Sequence, residues 1–292
     1  YLKEKLGNPE LFTGRKRELT CLMEWTVKIK KEISMSTAIL SRRKTGKTAL
    51  MQRLYNMIFE KNMGVIPFYY EIREGKRWVV DFCQDFYLTY IYQYIAFRTR
   101  NPEFVRISNT SKKNFSEALA AAREVGEYLV RDIEKVIPLI QQPRPGLLWD
   151  AVRDTPWTMA AERNEFIIQM IDEFQFLNSE IYRDQAMTDK ADDLAAGYLH
   201  TAEYKNAPLL VSGSWVGWLM NDLGTMLPGR FQYDYMENLP EDECLEMIFR
   251  YALIEETPVT EESAALMAQM TEGNPFYISA MFRSKYPERD LT

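Results

Sequence analysis

The sequence predicts an α/β fold, in which a parallel five-stranded sheet flanked by helices is followed by a small all-helical lid. Short apolar runs alternate with segments of helical period four or five times along the chain, an order typical of parallel sheets. After about residue 239 only the helical period remains. We therefore expect an α/β domain over residues 1–239, with a helical insertion at about 98–165, and a helical lid over residues 240–292.

The composition narrows the classes of function. The 292 residues include 36 Lys and Arg against 42 Asp and Glu, so the net charge is −6 and offers no overall basic surface for nucleic acid or an anionic membrane. Apolar residues make up 46% and aromatic residues 13%, as in globular domains rather than disordered chains. Neither an uninterrupted apolar run of about 18 residues nor a secretory signal is evident, so we expect no membrane partner.

The cysteine and histidine content bears on compartment and metal chemistry. Cys21, Cys83 and Cys244 lie far apart, which favours a reducing compartment and leads us to expect a cytoplasmic location. A single histidine, His200, excludes a site built from several histidines.

The first third of the chain predicts two strands and three helices. Apolar residues recur at helical spacing from Leu19 to about Lys31. A strand-like run, Thr37–Leu40, then ends in a polar loop, and the helical period resumes at Ala49. Val65–Ile72 predicts a second strand. Over residues 76–98 aromatic residues recur every four positions and predict a helix with one wide buried stripe, formed by Trp78, Phe82, Phe86, Tyr90 and Tyr94.

The remaining strands are predicted after the insertion. Residues 98–165 contain no obvious strand and one Pro-rich break at 143–146. Two apolar runs, Phe166–Ile171 and Leu209–Val211, each end in polar residues and predict buried parallel strands. A last strand near Phe231–Met236 precedes a helix that begins near residue 240.

The loop Ser41–Thr48 carries the most specific motif. It fits the phosphate-binding spacing G-x-x-x-x-G-K-[ST] at every defined position except the first, where Ser41 replaces glycine. A tight loop between a strand and a helix points backbone N–H groups at a β-phosphate, and the helix dipole adds positive charge there. Lys47 would bridge the β- and γ-phosphates, and Thr48 would bind Mg²⁺. The expected nucleotide-binding residues here are Ser41, Arg42, Arg43, Lys44, Thr45, Gly46, Lys47, Thr48 and Ala49.

An acidic pair, Asp172 and Glu173, ends the predicted strand that begins at Phe166. Such a pair alone is often a helix cap, but after a phosphate-binding loop it favours a role in hydrolysis. Asp172 would then hold Mg²⁺ through water, beside Thr48, and Glu173 would orient the attacking water as a base.

These elements resemble those of a known group of proteins. The loop Ser41–Thr48, the strand Phe166–Glu173 and the strand Leu209–Ser214 resemble the Walker A, Walker B and sensor 1 elements of the AAA+ and STAND P-loop ATPases, and the chain is most similar to the archaeal-type ATPase family. Three further matches extend the resemblance over about residues 11–278: Phe12–Leu19 to the N-terminal box, Gly229–Arg230 to the Gly-Arg pair after sensor 1, and Gly273–Phe276 to the G-x-P element of the lid.

The resemblance implies further site residues. Phe12, Gly14 and Arg15 would border the base or ribose, and Pro275 would close over the base from the lid. Ser214, or otherwise Ser212, would be the sensor 1 group near the γ-phosphate. Arg230 would reach a γ-phosphate, in the same chain or in a neighbouring copy; the alternative is a surface ion pair. The expected catalytic set is Glu173, Lys47, Arg230 and Ser214.

The function expected from these residues is Mg²⁺-dependent binding and hydrolysis of ATP, slow without an activator. The resemblance implies a nucleotide-driven switch that acts on a protein partner, on a further domain or on other copies of the chain. Two alternatives stay open at this point. One is a scaffold that holds ATP or ADP without hydrolysis, and the other is a DNA-binding ATPase similar to the origin-recognition proteins, which the acidic charge disfavours.

Overall fold

A computed structural model of the chain describes residues 1–283. Its centre is a parallel sheet of five strands: β1 (Ser36–Leu40), β2 (Ile66–Glu71), β4 (Ile167–Asp172), β6 (Leu209–Gly213) and β7 (Phe231–Tyr235). Their order across the sheet is β2-β4-β6-β1-β7. The predicted fold class and the five-stranded parallel sheet are therefore confirmed.

Helices surround the sheet and continue after it. The helices of the α/β part are α1 (Lys16–Ile29), α2 (Lys47–Lys61), α3 (Val79–Thr99), α4 (Glu103–Ser108), α5 (Phe115–Val125), α6 (Glu127–Gln141), α7 (Pro145–Arg163), α8 (Phe176–Ser179), α9 (Tyr198–Thr201) and α10 (Val216–Met226). Three more follow: α11 (Glu241–Ile254), α12 (Glu261–Thr271) and α13 (Pro275–Phe282).

The central strands are apolar because they are buried on both faces. Every residue of β1, β4 and β6 is buried, as expected for parallel strands covered by helices on each side. Their carboxyl ends lie at one edge of the sheet, which is where ligands bind in open α/β folds. The predicted loop after β1 and the polar residues that end β4 and β6 are thereby brought to the same edge.

The aromatic helix α3 is buried more completely than its predicted single stripe. Phe82, Phe86, Tyr90 and Tyr94 are at most 1% exposed, which places the stripe in the core. Tyr87 and Tyr92, on other sides of the helix, are equally buried. The reason is that α3 packs against β2 on one side while α4, α5 and α7 of the segment 98–165 cover the others.

Two local features were not predicted. A second, two-stranded parallel sheet joins β3 (Arg77–Trp78) to β5 (Ile181–Tyr182). In addition, Pro138 and Pro156 lie inside α6 and α7. A proline removes one backbone donor and crowds the preceding turn, so the sequence alone argues against continuous helices there. The two helices pack against each other, and α6 also packs against α5 and α7 against α3, which compensates for this cost.

The segment after residue 239 has its own hydrophobic cluster. Leu239, Met247, Ile248, Ile278 and Phe282 are among its buried members. The predicted division into domains at residue 239 stays a prediction, and residues 284–292 of the predicted lid lie outside the described part of the chain. Within residues 1–283, no helix combines the length and the apolar character needed to cross a membrane.

Candidate functional site

The predicted phosphate-binding loop, residues 41–48, connects β1 to α2. Gly46 has φ 95° and begins α2 without a side-chain cap, so the first N–H groups of the helix face the loop. Lys44 also lies in the left-handed region, with φ 69°, whereas Ser41 does not. The first position of the motif therefore needs no glycine in this chain, and the Ser41 hydroxyl instead contacts the hydroxyl of Thr45.

Lys47 is held at the back of this loop. Its ammonium donates to the backbone carbonyls of Ser41, at 3.1 Å, and Arg42, at 2.9 Å. Burial lowers the pKa of Lys47 below its ordinary value, although the nearby Glu173 and Asp172 carboxylates oppose this shift. The lysine is thus a desolvated cation whose charge is only partly balanced, as suits a group that binds phosphate.

Asp172 connects four parts of the site. Its Oδ2 atom accepts hydrogen bonds from Thr48 Oγ1, at 2.6 Å, and from the Tyr69 hydroxyl, at 3.1 Å. Its Oδ1 atom accepts from the Ser212 hydroxyl and from the backbone N–H of Glu173, the latter at 3.0 Å. Burial, followed by the charge of Asp172, raises the pKa of Tyr69 well above its ordinary value, so Tyr69 stays a donor.

The pair formed by Thr48 and Asp172 fits a Mg²⁺ ion. Magnesium prefers hard oxygen ligands and is held in proteins by one or two carboxylates or hydroxyls, with water and phosphate completing the shell. A hydroxyl and a carboxylate oxygen within 2.6 Å of each other, beside the predicted phosphate-binding loop, are such donors.

Glu173 lies beside the sensor position at the end of β6. The Ser214 hydroxyl donates to Glu173 Oε2 at 2.8 Å, and the Gln175 side-chain amide also donates to that oxygen. Glu173 has φ 54°, an unusual backbone conformation for a residue with a Cβ. The two predicted sensor candidates are therefore separated: Ser212 contacts Asp172, and Ser214 contacts Glu173.

A cavity of about 520 Å³ lies against this edge of the sheet. Many predicted residues line it: Arg43, Lys44, Gly46, Lys47, Thr48, Ala49, Glu173, Ser214 and Pro275. Ser41, Thr45 and Asp172 are buried just behind this wall. A volume of this size suits a nucleotide-sized ligand.

The lid closes one side of the cavity. Pro275, at the start of α13, lies so near the loop that a Cβ added to Gly46 would be 3.8 Å from its Cγ atom. The Lys44 ammonium sits 3.8 Å from the centre of the Phe276 ring. The Asn274 side chain caps α13, and Pro275, the first residue of that helix, lines the cavity.

The N-terminal box packs behind the loop. The Arg15 guanidinium donates to the Thr45 carbonyl at 2.9 Å, and the Arg15 backbone N–H donates to Glu243 Oε2 of α11 at 2.8 Å. A Cβ added to Gly14 would come within 2.6 Å of that same oxygen. Phe12, Gly14 and Arg15 are not among the residues that line the cavity, so their position beside the base stays a prediction.

Arg230 lies at the other end of the strands. It directly precedes β7, whereas the loop follows the carboxyl end of the parallel strand β1. Its guanidinium pairs with Glu203 at 3.1 Å and donates to the Leu199 carbonyl at 3.3 Å. The described chain therefore does not bring Arg230 to the cavity, and only a neighbouring copy remains for its predicted contact with a γ-phosphate.

Several residues of the site escaped sequence reasoning. They include Tyr69, which bonds Asp172, and Lys5 and Glu71, which form an ion pair at the rim. No local pattern marks these residues, because their partners lie 66 or more positions away. Gln175 is different: it stands two positions after Glu173, and that proximity was a usable signal.

Comparison with known proteins bears on the fold. No family model and no curated protein matches the sequence. Among solved structures, the Walker-type ATPase PABY2304 of Pyrococcus abyssi is similar with a TM-score of 0.56 and 14% identity, over 96% of this chain and 68% of that one. The Aeropyrum pernix ORC1 protein, solved in complex with DNA, has a TM-score of 0.52 and 13% identity, over 94% of this chain and 60% of that one.

A further likeness agrees with these two. The Aeropyrum pernix ORC2 protein, solved in ADPNP–ADP complexes, has a TM-score of 0.51 and 13% identity, over 96% of this chain and 63% of that one. The chain thus spans between three fifths and about two thirds of the length of these proteins. Together with the sheet order and the position of the loop after β1, these likenesses show that the chain shares the α/β fold of these proteins.

Proposed function

We propose that the chain binds Mg²⁺·ATP in the cavity between the sheet and the lid and hydrolyses it. The observation that carries this proposal is the convergence of Lys47, Thr48, Asp172, Glu173 and Ser214 at the carboxyl ends of β1, β4 and β6. Thr48 lies 2.6 Å from Asp172, and Ser214 lies 2.8 Å from Glu173, although each pair is separated by more than 40 positions in the chain. Such an arrangement supplies a cation, two metal ligands and a base at one place.

Each residue has a chemical role in the proposed reaction. The loop N–H groups and Lys47 bind the β- and γ-phosphates, where the lysine offsets negative charge. Thr48 and Asp172 would hold Mg²⁺, which neutralises phosphate charge when bound. The Glu173 carboxylate accepts a hydrogen bond from the attacking water and orients it, and the Ser214 hydroxyl lies next to that carboxylate.

One contact supports slow hydrolysis without an activator. Lys47 is bonded to the carbonyls of Ser41 and Arg42, so it must leave them before it reaches a phosphate. Thr48 can keep its hydrogen bond to Asp172 while a lone pair of its hydroxyl oxygen faces a metal ion, so this pair needs no rearrangement. A partner that favours the release of Lys47 from these carbonyls would raise the rate, in line with a switch that acts on a protein partner or on other copies of the chain.

The lid would report the state of the nucleotide. Pro275 and Phe276 contact the loop side of the cavity, while Glu243 fixes the other end of the lid to Arg15. Phosphates at the loop would compete with Phe276 for the Lys44 ammonium. Binding and hydrolysis would therefore change how the lid packs, which is how such modules act on a partner.

Phosphate release under Mg²⁺·ATP tests the proposal. The wild type should release phosphate, and Glu173→Gln should bind ATP with similar affinity. The variant should release phosphate at least roughly 100-fold more slowly, because a positioned base contributes about that factor or more. Equal release by both proteins at the level of buffer would contradict hydrolysis. If both still bind ATP in that case, the chain is the non-hydrolysing scaffold instead.

A further inference from the structure

Gln175 is a buried polar residue next to the proposed base. It lies in the turn between β4 and α8 and is 0% exposed. Its side-chain Nε2 atom donates to Glu173 Oε2 and, at 3.3 Å, to the Ser214 hydroxyl oxygen. It is not among the residues that line the cavity, so it reaches the reaction only through Glu173 and Ser214.

Gln175 and Ser214 both donate to one oxygen of the Glu173 carboxylate. Ser214 donates to the same Oε2 atom at 2.8 Å, so two donors hold it. Within the described residues, no hydrogen bond reaches the other carboxylate oxygen, Oε1. The amide thus restrains the carboxylate and leaves Oε1 to accept a hydrogen bond from water.

The other end of the amide is unusual. Gln175 Oε1 is buried and has no hydrogen-bond partner among the described residues. It points toward Gly213, where an added Cβ would come within 2.5 Å of it. The reverse orientation would place this oxygen against the Glu173 carboxylate, where two acceptors repel each other. An unpartnered buried acceptor costs stability, and such groups are often retained for function.

The backbone around this amide is also constrained. Glu173 has φ 54°, and the N–H of Phe174 donates to the Ser212 carbonyl on β6 at 2.8 Å. This bond ties the turn to β6, the strand that Ser214 directly follows. A left-handed residue held by its surroundings is a known feature of functional sites, because it fixes a side chain in one direction.

We propose that Gln175 is a positioning residue for hydrolysis: it holds the Glu173 carboxylate in register with Ser214, and Gly213 leaves the space that its amide needs. This inference rests on the proposed ATPase function and names the group that keeps its base in place. Gln175 transfers no proton and does not contact the nucleotide. Its loss should therefore lower kcat and leave KM and the affinity for ADP nearly unchanged.

The chain contains a matched control. Gln169, three residues before Asp172 on β4, is also 0% exposed, donates through Nε2 to the Ala207 carbonyl at 2.8 Å, and has an unpartnered Oε1. Gln175→Met and Gln169→Met each remove a buried amide from nearly the same part of the fold. Only the first removes a contact with Glu173.

The experiment measures kcat, KM for Mg²⁺·ATP and Kd for ADP in the wild type and both variants. We expect Gln175→Met to lower kcat by roughly 10- to 100-fold, as for a misplaced catalytic group, with KM and Kd unchanged. Gln169→Met should keep the wild-type kcat at temperatures where it is folded. If Gln175→Met does not fold, Gln175→Asn keeps the amide but draws it back by one methylene, and the same loss in kcat is expected.

The outcomes separate this inference from the proposed function. Phosphate release by the wild type together with an unchanged kcat in folded Gln175→Met or Gln175→Asn would overturn the role of Gln175 alone. An equal loss of kcat in Gln169→Met and Gln175→Met would overturn it as well, because the effect would then be structural. A wild type that binds ATP without releasing phosphate would overturn hydrolysis and this inference with it.

Discussion

Three residues with left-handed backbone surround the proposed phosphate and water positions. Lys44 has φ 69°, Gly46 has φ 95° and Glu173 has φ 54°. Such conformations cost energy for residues with a Cβ and persist where the surroundings hold them. Ser41, at the motif's first glycine position, avoids this region, and its hydroxyl bonds within the loop.

Ser41→Gly tests whether this serine impairs the loop. Because Ser41 needs no positive φ, we expect the affinity for ADP to stay within about threefold of the wild type, a difference below about 1 kcal/mol. The unfolding free energy should fall by roughly 0.5 to 1 kcal/mol, since glycine adds freedom to the unfolded chain. Calorimetric titration and urea unfolding measure the two quantities.

Gly46→Ala is the matched comparison. At φ 95° a side chain is strained whatever space surrounds it, so we expect this variant to bind ADP more weakly than Ser41→Gly. A gain of tenfold or more in affinity from Ser41→Gly would contradict our account of the loop.

At the scale of elements, the lid caps a helix of the α/β part. Arg15 begins α1 without a side-chain cap of its own. The Glu243 carboxylate of α11 fills this role, accepting from the N–H groups of Arg15, at 2.8 Å, and Lys16, at 3.2 Å. The residue is 8% exposed, so the cap is well shielded from water.

Glu243→Ala should therefore destabilise α1 and loosen the lid. We expect the unfolding free energy to fall by about 1 to 2 kcal/mol, as for the loss of a helix cap with favourable dipole interaction. The control is Glu241→Ala, at an exposed position in the first turn of α11, the helix that also carries Glu243. It should change the unfolding free energy by less than about 0.5 kcal/mol. Equal stability of the two variants in urea unfolding would show that the cap contributes nothing.

A second connection joins β2, α3 and the loop before α5. Asp85 on α3 pairs with Lys113 at 2.6 Å and accepts from the Tyr70 hydroxyl at 2.8 Å. Burial alone would raise the pKa of Asp85, but the Lys113 ammonium, the Tyr70 hydroxyl and the Arg77 guanidinium hold it below its ordinary value. The ionised carboxylate is thus favoured by folding.

This direction fixes the pH dependence of Asp85→Asn. The stability that Asp85 contributes is fully present above its ordinary pKa of 3.8 and is lost as the pH falls through its lower folded value. At pH 7 the variant should be less stable by about 1 to 3 kcal/mol, and the difference should shrink below about pH 4. Asp81→Asn, exposed on the same helix, serves as control. A constant difference between pH 7 and pH 3 would refute this account.

Across the whole molecule, Arg230 and the cavity lie at opposite ends of the parallel strands: Arg230 lies at their amino ends and the cavity at their carboxyl ends. Because each residue of a strand advances about 3.3 Å, the two ends of the five-residue strand β7 lie roughly 16 Å apart. A contact between Arg230 and a γ-phosphate therefore requires a second copy of the chain.

Arg230→Ala tests whether Arg230 acts on the nucleotide of a second copy or on that of its own chain. In dilute protein we expect unchanged affinity for ADP and a loss of stability below about 1 kcal/mol, because the ion pair with Glu203 is partly exposed. If copies associate, phosphate release per wild-type chain should rise with protein concentration, and that of Arg230→Ala should not. Weaker binding of ADP by the dilute variant would show instead that Arg230 acts within its own chain.

The sequence predicted most of the sheet and the residues at its carboxyl edge. Local patterns suffice for these, because β1, β4 and β6 are short apolar runs and the loop has a fixed spacing. They cannot show pairs such as Glu243 with Arg15, which are 228 positions apart and depend on how the lid docks. They also could not show that α3 is covered on several sides, since a buried helix and an amphipathic one share the same aromatic period.

The proposed function requires that this chain bind nucleotide through Lys47. The most direct measurement is a calorimetric titration of Mg²⁺·ADP into the wild type, Lys47→Met and Lys61→Met, the last being an exposed lysine at the end of the same helix. We expect one site per wild-type chain, the same affinity in Lys61→Met, and binding weakened at least about 30-fold in Lys47→Met, as for loss of a charge-assisted bond in a desolvated site. Equal affinity in all three proteins, or no binding by the wild type, would contradict the account.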